Sequence, residues 1–324
     1  MRVIFVPQYP TFMRYQEWWW WKFKLEFEKA GLEVVTLGKG MSSQNKYSRD
    51  LEMFSPINRA INYETYQIQE YMSLKIDYEN DILFMADISF PGLFGNILFH
   101  KRPKRVFGFC HATSLNYLDY FEKDRSRKFK AESATAHMCK WVFVGSHYHR
   151  HKLHEWPNVE VTYLPYPPME RAKRVPWKKR SNDIISVARP TVQKVDVGLE
   201  LLVEDTLRTT VKRKECYSWK EYYDFIADSK VMLITAKEET FGYQVVDAVI
   251  NGCIPITPSE YSYTELLPPE FTYDNRNELI SKLDYIINSD REIPGVPDLV
   301  CHGHMVNFYR NIIEKIKGGE NHPF

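Results

Sequence analysis

The stretch from Ala236 to Ile256, AKEETFGYQVVDAVINGCIPI, most constrains how this chain can fold. An apolar run at 230–236 predicts a buried strand, which Phe241 and Gly242 interrupt. The residues that follow have apolar side chains at helical spacing up to Gly252, which is placed to end a helix before a second strand. Because the first turn of a helix presents N–H groups that have no partner within the helix, an anion is the natural ligand of this turn.

Two carboxylates flank the turn, Glu239 before it and Asp247 eight positions later. This order of residues, with Phe-Gly between the acids and a Gly-x-x-Pro turn at 252–255, resembles the nucleotide-sugar site of GT-B glycosyltransferases, in particular the retaining family 4 type. That family usually has Glu at the second position, so Asp247 is a shortened version. An ordinary strand-turn-helix with solvated acids is the alternative interpretation.

A second match lies in RPTVQK, where Arg189 ends the predicted strand 184–188 and Lys194 follows five residues later. The resemblance implies that both cations bind the nucleotide diphosphate. Two fixed cations stabilise the charge of a departing diphosphate without a metal ion. A pair of surface cations on a loop is the alternative.

The resemblance also implies individual roles. His111, at the end of the predicted strand 105–110, is expected to hydrogen-bond the transferred sugar, and a loop histidine is the alternative. Asp247 is expected to hold the ribose hydroxyls. The predicted catalytic residues are His111, Arg189, Lys194 and Glu239, and the predicted nucleotide-sugar ligands are Arg189, Lys194, Glu239, Thr240, Phe241, Gly242, Tyr243 and Asp247.

A chain of 324 residues suggests two domains, and strands alternate with helices over its first half. The expected fold is α/β, with two Rossmann-like domains facing each other across a cleft as in GT-B enzymes. The short interval between Lys194 and Val231 predicts a trimmed C-terminal domain, because the family usually has an additional strand and helix there. The predicted domains are an acceptor domain at 1–170, a nucleotide-sugar domain at 171–300, and a last helix at 301–324 that packs back on the first domain.

Composition excludes several classes of protein. The net charge of +1 gives no global bias toward nucleic acid or membranes, and the five cysteines form no CxxC pair, so neither a zinc site nor a disulfide framework is predicted. Four histidines at 147, 149, 151 and 154 permit a metal site by spacing, but no acid or cysteine accompanies them, so no metal and no cofactor is predicted. The absence of an apolar run of about 20 residues predicts no membrane insertion, and a cytoplasmic location is expected.

The sequence therefore predicts a retaining, metal-independent glycosyltransferase that uses a nucleotide-sugar, with UDP expected from the resemblance. The acceptor is a hydroxyl group, and basic runs at 101–105, 125–130, 178–180 and 212–214 point to DNA with hydroxymethylated bases, as in viral DNA modification, or else to a glycan or small molecule. A non-catalytic protein of the same fold that binds a nucleotide-sugar or nucleic acid is the alternative. No oligomeric state is predicted.

Overall fold

A computed structural model describes residues 1–11, 13–38, 56–116, 124–188, 194–289 and 298–318. The chain divides into two compact units. Unit 1 consists of Met1–Gly145, His149–Pro165 and Asn307–Phe324, and unit 2 consists of Ser146–Tyr148 and Tyr166–Val306.

Unit 1 is built on a parallel six-stranded sheet with the strand order β2-β1-β3-β4-β5-β6. Its strands are β1 (Arg2–Val6), β2 (Glu33–Thr36), β3 (Asp81–Met85), β4 (Arg105–Cys110), β5 (Trp141–Val144) and β6 (Val159–Val161). Its helices are α1 (Tyr15–Lys29), α2 (Pro56–Ser73), α3 (Arg125–Met138), most of α4 (His147–Lys152) and most of α10 (His302–Lys317). The central strands are almost continuously apolar and buried, as expected for a parallel sheet that is covered on both faces.

Helices α1 and α10 meet through aromatic side chains in the core of unit 1. The rings of Trp19 and Phe23 lie 5.6 and 5.7 Å from the ring of Phe308. The buried stripe of α1 runs through Trp18, Trp19, Phe23 and Phe27, so two of the four consecutive tryptophans at 18–21 belong to the core, whereas Trp21 is exposed.

Unit 2 is built on a second parallel sheet with the strand order β11-β10-β9-β7-β8. Its strands are β7 (Asn182–Ile185), β8 (Val211–Lys212), β9 (Ser229–Leu233), β10 (Ile254–Pro258) and β11 (Thr272–Tyr273). Its helices are α5 (Val197–Leu207), α6 (Trp219–Ala227), α7 (Tyr243–Ile250), α8 (Tyr263–Leu266) and α9 (Arg276–Ile287). The short interval that predicts a trimmed domain contains α5, α6 and the two-residue strand β8.

The strand order places one topological switch point in each sheet. In unit 1, β1 lies between β2 and β3, so the connections after β1 and β3 run to opposite sides. In unit 2, β7 lies between β8 and β9 in the same way. Ligands of open α/β sheets bind outside the carboxyl ends of the strands at such points. Ligand sites are therefore expected at the loops after β1 and β3 in unit 1 and at the loops after β7 and β9 in unit 2.

Candidate functional site

The loops after β7 and β9 of unit 2 bring Lys194 and Glu239 together. The Lys194 ammonium donates to Glu239 Oε2 at 2.6 Å, and both side chains remain about one-fifth exposed. The backbone of each is anchored nearby, because Asp196 N donates to Thr235 Oγ1 at 2.9 Å and Ser262 Oγ donates to Glu239 O at 2.9 Å. The predicted cation and the predicted acid thus share one place at the switch point.

The turn before α7 has a conformation that requires glycine. Gly242 has φ = 90° and forms the N-cap of α7, and it provides no side chain to cap the helix. A Cβ atom at this position would lie 3.0 Å from Tyr263 Cε1, which is closer than nine in ten real Cβ contacts. The glycine therefore allows the chain to turn sharply over Tyr263 and start the helix with its N–H groups at the carboxyl edge of the sheet.

The other predicted residues of the turn have identifiable contacts. Thr240 O accepts a hydrogen bond from Ser146 Oγ at 2.5 Å, and the buried Phe241 ring lies 5.3 Å from the Tyr243 ring. Arg189, the other predicted cation, lies outside the described residues. Glu238, which the sequence does not single out, is buried and accepts from the Tyr148 hydroxyl at 2.7 Å.

Asp247 lies in the middle of α7 and is buried, and two tyrosines of α6 contact its carboxylate. Tyr222 donates to one oxygen at 3.1 Å and Tyr223 to the other at 3.3 Å. Burial raises the pKa of Asp247 to about 7, although the two tyrosine hydrogen bonds oppose this shift. The carboxylate therefore changes charge near neutral pH, and its predicted contact with ribose stays a prediction.

In unit 1, His111 directly follows β4 and lies among aromatic rings. The ring centroids of Tyr15, Trp19 and Phe109 are 4.4, 4.6 and 4.6 Å from that of the imidazole. Burial lowers the pKa of His111 to about 3, so the ring is neutral at neutral pH. A neutral imidazole suits a hydrogen bond to a sugar hydroxyl better than a contact with phosphate.

The switch point of unit 1 holds a carboxylate that the sequence analysis did not identify. Asp87 follows β3, and its Oδ2 accepts from Gln8 Nε2, after β1, at 2.6 Å. Its Oδ1 accepts from the backbone N–H and the hydroxyl of Ser89 at 3.0 and 2.7 Å. Burial raises the pKa of Asp87 to about 7. The available signal was the position of a polar residue at the carboxyl end of a buried strand.

These side chains line a cavity of about 170 Å³ in unit 1. Its walls include Gln8, Asp87 and His111, from the ends of three neighbouring strands, together with Thr113 and Glu132. Glu132 is buried and accepts from the Ser114 hydroxyl at 2.9 Å. The cavity thus combines polar and apolar walls and lies at the edge of the sheet where ligands bind.

Within the described ranges, no three His, Cys, Asp or Glu side chains are arranged to hold a metal ion. The four histidines at 147–154 do not share one environment. His149 is fully buried in unit 1, whereas His151 and His154 are exposed and their tilted rings have centroids 6.4 Å apart. Among the helices that the structure describes, none has the length and apolarity needed to cross a bilayer.

Comparisons with known proteins bear on the fold. No family model matches the chain. Several solved structures are similar over nearly its whole length, among them two synthases. Sucrose-phosphate synthase from Thermosynechococcus elongatus is 11% identical with a TM-score of 0.66, and the alignment covers 98% of this chain and 94% of that one. A trehalose-6-phosphate synthase, studied for glycosyltransfer with retention through bisubstrate glycomimetics, is 11% identical with a TM-score of 0.63 over 98% and 99% of the two chains. The chain has the GT-B fold.

The predicted fold class and the resemblance to GT-B glycosyltransferases are thereby confirmed at the level of the fold. One curated relative is a tRNA-queuosine alpha-mannosyltransferase of Drosophila melanogaster, 34% identical over 64 residues. This match spans 20% of the chain and only 17% of the length of that relative. In the GT-B fold, the turn of unit 2 and the cavity of unit 1 occupy equivalent places in their sheets, at the two switch points.

Proposed function

We propose that this protein is a glycosyltransferase that moves a sugar from a nucleotide-sugar to a hydroxyl acceptor. The observation that carries the proposal is the Lys194–Glu239 pair at 2.6 Å, beside the Gly242 turn at the switch point of unit 2. A cation, an acid and a helix N-terminus in one loop cluster provide partners for a diphosphate and for sugar hydroxyls. The GT-B fold of the chain agrees with this chemistry.

The proposed donor is a UDP-sugar, and the proposed reaction proceeds with retention and without a metal ion. Lys194, together with Arg189, neutralises the diphosphate as its bond to the sugar breaks. Glu239 accepts hydrogen bonds from sugar hydroxyls, and the N–H groups of the turn contact sugar or phosphate. When the donor binds, the ammonium of Lys194 exchanges part of its contact with Glu239 for phosphate oxygens.

The proposed acceptor is a hydroxyl group on a modified base of a nucleic acid. The local likeness to a tRNA-queuosine alpha-mannosyltransferase favours this class, and the basic runs of the sequence agree with a polyanionic partner. DNA with hydroxymethylated bases and tRNA are both members of the class. Incubation with a labelled UDP-sugar and either polymer, followed by digestion to nucleosides, separates them.

The donor site is tested by thermal shift and by transfer. UDP-, GDP- and ADP-sugars are screened with the full chain, because a ligand that binds only the native state raises the Tm. Lys194→Ala and Glu239→Ala are expected to abolish the shift and to lower transfer by about 100-fold or more, the size expected when a group that stabilises transition-state charge is lost. The matched control is Lys220→Ala, since Lys220 is an exposed lysine paired with Asp224 on α6.

Each outcome has a distinct meaning. Full transfer by Lys194→Ala or Glu239→Ala would reject the assigned site. A Tm shift with UDP-sugars but no turnover with any nucleic acid, glycan or small polyol would favour a non-catalytic binding protein of the same fold. Salt-sensitive binding of nucleic acid without any donor-dependent shift would favour a nucleic-acid-binding protein.

A further inference from the structure

The wall of the cavity of unit 1 contains several hydrogen-bond acceptors. Two amide oxygens, Gln8 Oε1 and Gln16 Oε1, are buried in its wall and accept no hydrogen bond from the described part of the chain. Two carboxylates, those of Asp87 and Glu132, belong to the same wall. A buried acceptor without a partner costs about 1–3 kcal/mol, so such a wall is satisfied best by a ligand that donates hydrogen bonds.

The orientation of Gln8 follows from its neighbour. Its amide nitrogen donates to Asp87 Oδ2 at 2.6 Å. When Asp87 is ionised, a flipped amide would place an oxygen against a carboxylate oxygen at that distance, which is repulsive. The amide oxygen of Gln8 is therefore left as an acceptor for a ligand.

The charge of the cavity also excludes anions. Its wall contains no lysine or arginine among the lining residues that the structure describes, and His111 is neutral. Lys128 lowers the pKa of Asp87 through its charge, and its ammonium donates a hydrogen bond to Pro91 O at 2.6 Å. A phosphate group in this cavity would meet carboxylates and amide oxygens, whereas Arg and Lys are the usual phosphate partners.

We propose that the cavity binds the acceptor through a single hydroxylated ring that is neutral or carries an amino group, and that it rejects phosphorylated rings. This inference rests on the proposed glycosyltransferase function and specifies its acceptor. The cavity of about 170 Å³ has room for roughly six waters at about 30 Å³ each, which suits one five- or six-membered ring. Asp87 and Gln8 are the residues that select the acceptor, because they present oxygens from the two loops of the switch point.

The test uses three ligands of one shape and different charge: glucose, glucosamine and glucose 6-phosphate. Binding to the full chain is measured by saturation-transfer NMR without donor. Glucosamine is expected to bind most tightly, and glucose 6-phosphate at least about tenfold more weakly than glucose. Asp87→Asn keeps the shape but removes the charge, so it is expected to reduce the preference for glucosamine over glucose 6-phosphate by about tenfold.

Two further variants keep the test decisive. Gln8→Leu removes the amide oxygen and is expected to lower the affinities for glucose and for glucosamine by similar factors, each about tenfold. Glu79→Gln is the control, since Glu79 is an exposed acid of unit 1 that pairs with Lys104, and it is expected to leave all three affinities unchanged. Circular dichroism verifies that each variant is folded.

The inference is overturned if glucose 6-phosphate binds as tightly as glucosamine, if none of the three ligands binds, or if a folded Asp87→Asn variant keeps the full preference. Failure here together with an intact UDP-sugar thermal shift rejects only the acceptor class. Loss of the UDP-sugar shift in the wild type instead rejects the proposed function, because the diphosphate of the donor is assigned to unit 2 and the acceptor ring to unit 1.

Discussion

At the scale of single residues, Asp247 has a carboxyl group whose charge is tuned by its surroundings. Its folded-state pKa of about 7 lies above the value near 3.8 that an unstructured Asp has. The folded state therefore holds a proton more tightly than the unfolded state between these values. The protonated form of Asp247 therefore increases the free energy of unfolding as pH falls below about 7. This increase is lost as pH rises through about 7.

We predict that Asp247→Asn flattens the pH dependence of the Tm between pH 5 and pH 8. In the wild type, Asp247 is expected to lower the Tm at pH 8 relative to pH 6, because ionisation then takes place in a buried site. The measurement is thermal unfolding of both proteins across this range. Asp77→Asn is a suitable control, because Asp77 is an exposed acid of unit 1 whose pKa is lowered by hydrogen bonds from Asn80.

An unchanged Tm difference between pH 6 and pH 8 in Asp247→Asn would contradict the assigned ionisation. The same residue also affects the proposed donor site. If the ionised carboxylate accepts from ribose, the affinity for a UDP-sugar increases from pH 6 to pH 8 in the wild type and loses this trend in Asp247→Asn. The intact UDP-sugar is the better probe than UDP, because it has no terminal phosphate that titrates in this range.

Single residues differ in how far the sequence reveals them. Lys194 and Glu239 were predictable because a local motif places each next to a strand end, and the structure pairs them. The partners of Asp247 were not predictable from the sequence. Tyr222 and Tyr223 belong to another helix, and only the packing of α6 beside α7 brings their hydroxyl groups to the Asp247 carboxylate. Asp87 was missed for a related reason, since the strand order that places it beside Gln8 is not contained in a local pattern.

At the scale of elements, helix α7 depends on the backbone of the residue that precedes it. We predict that Gly242→Ala lowers the free energy of unfolding by about 1–2 kcal/mol, because φ = 90° is unfavourable for any residue with a Cβ. The added Cβ also meets the Tyr263 ring at 3.0 Å, so the turn is expected to shift. The shift should weaken UDP-sugar binding as well. Chemical denaturation and thermal shift measure the two effects.

The matched control for this substitution is Gly303→Ala in α10. A Cβ at Gly303 meets no atom within 4 Å, and alanine favours a helix more than glycine does, so this variant is expected to be neutral or slightly stabilising. A wild-type affinity for the donor in Gly242→Ala would show that the geometry of the turn does not matter for binding.

Element boundaries were predictable where a strand is a short apolar run between polar residues. The predicted strand at 105–110 coincides with β4. The strand predicted at 184–188 is instead found at Asn182–Ile185, because Asn182 pairs with Ser229 on the neighbouring strand. In α1 the buried face consists of Trp18, Trp19, Phe23 and Phe27, and the adjacent Trp20 and Trp21 lie outside it. Periodicity indicates that a face exists, but tertiary packing decides which residues form it.

At the scale of the whole molecule, the chain crosses between its two units more than once. Residues 146–148 belong to unit 2 although their neighbours on both sides belong to unit 1, and the chain returns to unit 1 at Asn307. The sequence suggested two domains from length and composition, and the fold class from the alternation of strands and helices. Which short segments belong to which unit depends on long-range contacts. Examples are the hydrogen bonds from His147 N and Tyr148 N to the Glu265 carboxylate, both at 2.7 Å.

The end of the chain completes the core of unit 1, and this can be tested separately from unit 2. Phe308, Ile312 and Ile316 of α10 are fully buried, and Phe308 packs on Trp19 and Phe23. We predict that Phe308→Ala destabilises unit 1 by about 3–5 kcal/mol, the usual cost of removing a buried ring. Calorimetry with and without a UDP-sugar should then separate two transitions. The variant lowers the unfolding temperature of unit 1, whereas the donor raises the unfolding temperature of unit 2. Val306→Ala, at a side chain that is 60% exposed, is the control and should leave both transitions in place. If Phe308→Ala and the donor instead move one and the same transition, the two units unfold as a single cooperative body.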